Sequence, residues 1–423
     1  MNYAISYLEK HAKGSPLIWK TPPAGLKYII TIPAYLETSL PGSLVSLFSC
    51  IPPSSAVEVI VVINWPENES PENIILSKEI INEVEDWIRK NITEWINFHC
   101  LVLPGVPVKI AGVGYARKTA MDEAIRRFLQ AGQEDGIILS FDGDTKCDPD
   151  YLIRIESHFI KHPQTEGCSI YFEHPLEGPD FSLNVYQGIA QYELHLRYYL
   201  HSLRYTGFPN AFYTIGSAFA VRARSYCKQG GMNTKKAGED FYFLQKLFDL
   251  GTFTELNSVR VIPSPRPSFR VPFGTGAAIE NFIRGSDAIL SYNPRSFELL
   301  KRFFESLPLM YNTESVNLDS IIKEINAPLK SYLETIEFKK SLEEIKRNTS
   351  NYAFFRKRFF RYFNMFRILK FLNYAKKYYP DIPVNECAAI FLEKAGVNEI
   401  LNQDVKGKLE IFRKMDRLSI PQQ

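Results

Sequence analysis

The chain has 423 residues, enough for two or three domains and a sizeable core. Its 50 Lys and Arg against 47 Asp and Glu leave a net charge of only +3, and its 45% apolar and 23% charged residues are ordinary for a globular protein, so nothing global points to nucleic acid. Six scattered cysteines without a Cys-x-x-Cys pair argue against a disulfide framework and a structural zinc site; with no signal-peptide core and no membrane-length apolar run, the chain is expected in the cytoplasm.

Residues 1–26 read as a short helix and a Pro/Gly-rich lead-in. A first strand is expected over 28–32, stopping at Pro33-Ala34-Tyr35-Leu36-Glu37. A helix over 40–50 follows, with Leu44, Leu47 and Phe48 on one face, and then a buried strand over 57–63 that ends at Asn64. The spacing of Ile81, Val84, Trp87, Ile88, Ile92 and Trp95 predicts a helix over 75–98. A short strand over 100–103, and another over 106–111, lead to Gly112-Val113-Gly114-Tyr115-Ala116-Arg117 and a helix through 129. Such strand–helix alternation predicts an α/β fold with a mostly parallel sheet covered on both faces.

The stretch 136–152, GIILSFDGDTKCDPDYL, is the centre of the reading. A buried strand ends there in Asp142-Gly143-Asp144, two carboxylates one residue apart that repel unless a cation sits between them. Hard cations such as Mg²⁺ use one or two carboxylates together with substrate phosphates, and strand ends are where open α/β sheets bind ligands. The same residues also fit a polar turn, with Asp148 capping the next helix. Further along come a helix over 151–161, a strand over 167–173, an aromatic-rich helix over 183–205 and a strand within 212–222. Gly230-Gly231 marks a turn, Glu239-Asp240 opens a helix, and a late strand over 258–262 precedes the loop 263–276.

Taken in order, these motifs resemble the inverting family 2 glycosyltransferases of the GT-A fold, over roughly residues 28–276. The resemblance implies that a nucleotide-diphosphate sugar donates its sugar to the hydroxyl of a saccharide or lipid-linked acceptor. It implies that Asp144, with Asp142, holds a divalent metal, Mg or Mn, and that Asp142 contacts the ribose or the metal. Asp240, beside Glu239, matches the general base that takes the acceptor proton. Pro33, Ala34, Tyr35 and Glu37 match the base-binding strand end, Arg117 a base or phosphate contact, and Gly216 a close approach to the sugar. The family usually has Asn where Leu36 stands and aspartates where Ile63 and Asn64 stand. Many of its members also complete the metal shell with a late histidine, but every histidine here lies at or before His201. Arg266 and Arg270 are therefore candidates to meet the departing diphosphate.

The expected division is a catalytic domain over 1–292 and a helical domain over 293–423. Residues 352–379 carry eight Lys/Arg and no Asp/Glu, with Phe355, Phe359, Tyr362, Phe366 and Leu369 in one helical stripe. Two readings apply: a contact with anionic lipid at the inner face of the membrane, or a helix packed on the protein with a solvated basic face, the favoured one. Two further helices are expected over 381–423, with a weakly structured end. Two rival functions are a degenerate GT-A scaffold that only binds, and a dinucleotide-dependent oxidoreductase. For the latter, Arg117 stands where the fingerprint's third Gly or Ala belongs.

Overall fold

The structure, a computed structural model, describes residues 2–270, 274–285, 288–312, 321, 327–397 and 403–418. It has the α/β architecture expected of a GT-A-like protein, an eight-stranded, mostly parallel sheet flanked by helices, with a helical C-terminal region.

The elements that build the site come early. Strands β1 (Leu26–Ala34), β2 (Ala56–Pro66), β3 (Ile96–Val106) and β4 (Ile137–Ser140) lie parallel in the order β3-β2-β1-β4, with Thr31 aligned to Ile60 on one side and Ser140 on the other. Strands β1, β2 and β4 are mostly apolar and buried without alternation because both faces of the sheet are covered. Beyond β4 the order continues with β7 (Phe219–Arg222), β6 (Gly167–Phe172), β8 (Phe253–Ile262) and the two-residue β5 (Lys146–Cys147). Strand β7 runs antiparallel to β4 and β6, and β5 antiparallel to β8. Among the helices, α4 (Val113–Gln130) packs on β1 and β2, and α8 (Glu239–Phe248) follows the turn at Gly230-Gly231.

Two expectations are corrected. The helix predicted over 75–98 is a helix over Pro71–Lys90 followed by β3. Asn91 closes the helix, its Nδ2 donating to the Trp87 carbonyl, and the Thr93 hydroxyl accepts from the Ile96 amide where the strand begins. Ile92 is exposed, while Ile96 and Phe98 are buried with a period of two that the helical count had absorbed. The strand expected over 100–103 is thus longer, and Val106 ends it rather than starting another.

The chain divides into two compact units, one comprising 1–181, 213–277 and 416–423, the other 182–212 and 278–415. In the second unit the basic stretch is two helices, Tyr352–Tyr362 and Met365–Ala375, not one. Asn351 and Asn364 cap them, each accepting a bond from the backbone amide three residues on. Phe355, Phe359, Phe360, Phe363, Ile368 and Phe371 are buried, and Phe363 and Phe360 meet Phe303 and Phe304 at ring separations of 5.2 and 5.1 Å. Full burial of a Phe side chain stabilises by about 1.5–3 kcal/mol. Of the expected stripe Phe355 and Phe359 are buried, while Tyr362, Phe366 and Leu369 are half-buried because the chain turns at Asn364. The solvent face carries Phe354, Arg356, Lys357, Arg358 and Arg361. Residues 398–402 and 419–423, part of the expected C-terminal helices and their end, lie outside the described residues. Among the described residues no helix is long and apolar enough to cross a membrane.

Candidate active site

A cleft of about 790 Å³ opens at the C-terminal ends of β1, β2 and β4 in the first unit. Parallel strands deliver their loops to the same edge, so residues far apart in sequence converge. Pro33, Ala34, Tyr35 and Glu37 arrive from β1, Asn64 from β2, Asp142 and Asp144 from β4, and Arg266 and Arg270 from the loop after β8. Nine residues expected at the site therefore line one cavity. Arg117, Gly216, Glu239 and Asp240 are not among its lining residues and form a cluster joined to it through Asp142.

On the cleft side, Glu37 is buried and organises two guanidiniums. Arg266 Nη2 donates to Glu37 Oε2 and, at 3.2 Å, to Asp144 Oδ2. Arg270 Nη1 donates to Glu37 Oε2 at 3.0 Å and its Nη2 to the Leu36 carbonyl at 2.7 Å, with the group stacked over the Tyr35 ring. Tyr35 in turn donates to Glu69 at 2.7 Å. The buried Nε of Arg266 has no partner among the described residues. Burial, followed by the charges of Glu37 and Asp142, pushes the Asp144 carboxyl up to about 6 despite Arg266. Leu36 has a φ of 49°, a left-handed conformation that a bulky side chain adopts at a cost. Residues 271–273 of the expected loop lie outside the described residues.

Behind Asp142 the guanidinium of Arg117 is 2% exposed. Its Nε donates to Glu239 Oε1 at 3.1 Å, Nη2 to Asp142 Oδ1 at 2.9 Å, and Nη1 to the Gly216 carbonyl at 3.0 Å and to the Ser140 hydroxyl. Each nitrogen of Arg117 thus faces a protein acceptor. Gly216 leaves no room for a side chain, since a Cβ there would stand 2.9 Å from both Arg117 Nη2 and Asp240 Oδ2. Asp240 accepts the Phe241 amide at 2.7 Å in the first turn of α8. Burial, then the adjacent Glu239 charge, raise its carboxyl to about 7, with Arg117 opposing them.

Among the described residues no three His, Cys, Asp or Glu side chains are grouped as a metal site. The donors at the cleft are the carboxylates of Asp144 and Asp142, with one oxygen of each already paired to an arginine. Hard oxygen donors in this number fit a cation that takes most of its ligands from a bound diphosphate and water. Burial first, and then the charges of Glu37 and Asp142, raise the Asp144 carboxyl against the opposing Arg266.

No family model matches the chain, and no curated protein does. Among solved structures it is similar to S. aureus TarS 1–349 in complex with UDP-GlcNAc, at 12% identity over 78% of this chain and 89% of that one, with a TM-score of 0.41. It is also similar to the mannosyltransferase PcManGT from Pyrobaculum calidifontis in complex with GDP-Man and Mn²⁺, at 11% identity over 99% and 93% of the chains, with a TM-score of 0.36.

Some site residues escaped the sequence reading. Ser140 donates its hydroxyl to the Gly216 carbonyl at 2.6 Å and accepts from Arg117; its signal is a lone polar residue inside the apolar run 137–141. Lys236 lines the cleft from the segment before Asp240. That segment also covers the start of α4, where a Cβ on Gly114 would lie 2.1 Å from the Lys235 carbonyl oxygen. A pyrophosphate therefore cannot settle on Gly114 as the dinucleotide reading requires. His195, on the helix Leu183–Tyr205 of the second unit, is half-buried and bonds to Ser291 at 2.9 Å, and loss of hydration lowers it to about 4, as befits a structural histidine.

Proposed function

We propose that this chain is an inverting glycosyltransferase that moves a sugar from a nucleotide-diphosphate donor to an acceptor hydroxyl. One observation carries the reading: Asp142 joins a diphosphate-sized cleft, lined by paired carboxylates and arginines, to a buried cluster in which Asp240 ionises near neutrality. Pro33, Ala34, Tyr35 and Asn64 would enclose the base. Asn64 Nδ2 is directed to the Gly112 carbonyl at 3.3 Å, which leaves its oxygen as the acceptor for a base edge. Asp144, with Asp142, would hold a divalent ion, Mg or Mn, which when bound neutralises charge on the leaving diphosphate as a Lewis acid. Arg266, and Arg270 beside it, would pair with the same diphosphate once it draws them from Glu37. Asp240 would take the acceptor proton while ionised. The acceptor class is a saccharide or a lipid-linked saccharide. The burial of Phe355, Phe359, Phe360 and Phe363 favours packing over a membrane role for residues 352–379.

A second reading, a binding scaffold, draws on Leu36 and Asn64, where the family pattern is broken. A screen of nucleotide sugars with Mn²⁺, read by product mass, separates the two. Transfer from any donor supports the enzyme, and nucleotide binding without turnover on any acceptor supports the scaffold.

A further inference from the structure

Arg117 touches neither the cleft nor solvent, yet it bonds to four groups drawn from three regions of the first unit. It sits on α4 and donates to Asp142 after β4, to Ser140 in β4, to Glu239 at the start of α8, and to the carbonyl of Gly216 before β7. A guanidinium has five N–H donors in a rigid planar fork, and a lysine in its place reaches at most part of this set. The contacts fall on two sides of the proposed reaction. Asp142 belongs to the donor cleft, whereas Glu239 and Gly216 flank Asp240. From this geometry we infer that Arg117 is a positioning residue which fixes the distance between the donor carboxylate Asp142 and the base Asp240, acting through Glu239 and the Gly216 backbone. The inference rests on the transferase reading and adds to it the part that registers its two halves.

Two consequences follow. Displacing the fork by a fraction of an ångström misaligns attacking and leaving groups, which costs turnover far more than donor binding. Asp240 is also faced by three charged groups, Glu239 beside it on α8, Arg117 from α4 and Asp142 from the end of β4. Arg117 is the only cation among these three, so a shorter cation in its place favours the protonated carboxyl.

The test compares wild type with Arg117→Lys and Glu239→Gln, using the donor found by the product-mass screen. Arg117→Lys is expected to stay folded, lose about 100-fold in kcat and change donor KM by less than about threefold. The acid limb of its pH–rate profile is expected to move to higher pH. Glu239→Gln, which weakens the Arg117 bond and removes a negative neighbour of Asp240, is expected to lose kcat while its limb moves to lower pH. An increase in donor KM with kcat and the limb unmoved would make Arg117 a donor contact and overturn the assignment. A kcat within about threefold of wild type would overturn it as well. If Arg117→Lys fails to fold, the kcat-against-KM split of Glu239→Gln decides instead: lost kcat with donor KM unchanged supports the assignment, and kcat within about threefold of wild type overturns it. Wild-type turnover is measured first: its absence with every donor overturns the transferase reading and this role together, whereas an active wild type with an indifferent Arg117→Lys overturns this role alone.

Discussion

Helix α4 carries two buried arginines, Arg117 and Arg127, and the contrast between them separates a structural ion pair from a working one. Arg127 forks onto a single carboxylate, Glu58 of β2, with Nε to Oε2 at 2.9 Å and Nη2 to Oε1, and gives Nη1 to the Lys20 carbonyl. His99 bonds the same glutamate at 3.2 Å. Burial pushes Glu58 up, but the bonds from Arg127 and His99 outweigh it and hold the carboxyl below its ordinary range. One cation balances one anion there, and no proton or ligand is wanted. Arg117 instead faces Asp142, Glu239 and Asp240, so one cation meets three carboxyls. Burying an ion without enough counter-charge is costly, and the local answer is to take up a proton or a cation. At Asp240 burial, with the charge of Glu239 added to it, raises the carboxyl to about 7 although Arg117 opposes them. Surplus charge, more than burial, distinguishes the site end of the helix.

The largest effect that could break this contrast is expected at Asp240. Asp240→Asn should lower turnover by about 10³-fold or more, because the base is gone, while nucleotide binding persists. Its pH behaviour has a definite sign. A carboxyl that ionises near 7 when folded and near 4 when unfolded holds its proton more tightly in the fold. Its stabilising contribution is complete below pH 4 and lost as pH rises through 7. Asp240→Asn should therefore match or exceed wild type in thermal stability at pH 8, and wild-type kcat/KM should rise through about pH 7. Thermal unfolding of Asp240→Asn below wild type at pH 8 would show that the ionised carboxylate is a structural asset, as at Glu58, and the contrast would dissolve.

The reverse holds at the other end. Arg127→Met leaves Glu58 buried without its partner and should cost about 3 kcal/mol or more of folding stability, read from the urea midpoint. Turnover per folded molecule should be unchanged. A loss below about 1 kcal/mol would mean that His99 and solvent compensate Glu58, and that the pair is dispensable.

Much of this architecture was legible in the chain. Runs at 28–32, 57–63 and 137–141 that are apolar but for one residue each (Thr31, Glu58 and Ser140) are what a covered parallel sheet requires, and each ends where a site residue begins. The convergence of Glu37 with Arg266 and Arg270 was not legible, because a contact spanning more than 220 positions depends on where a loop without regular structure lies. Nor could the letters distinguish Arg117 from Arg127. Both read as arginines on one helix, and only the number of acids gathered around each tells them apart. The basic stretch 352–379 misled differently: its stripe is continuous at helical spacing, but Asn364 offers a cap in mid-stripe and the chain accepts it.

The smallest predicted effect concerns the strained residue that sets the cleft wall. Leu36 holds a φ of 49°, where a residue with a Cβ pays roughly 1–2 kcal/mol and Asn, which can bond to its own backbone, pays less. Such strain persists only where the surroundings demand it. Here the demand is visible: the Leu36 carbonyl accepts Arg270, and Glu37, the next residue, must point inward to both arginines. Leu36→Asn should therefore keep the same backbone and raise stability by about 0.5–1 kcal/mol, measured as an upward shift in Tm. If Tm falls instead, the leucine side chain is packing against a neighbour more favourably than its backbone is strained, and the turn is held by burial. If Tm rises and donor KM falls with it, the strain is a cost carried by the cleft itself. In that event the departure from Asn at this position weakens the donor site without abolishing it, which counts against the scaffold reading.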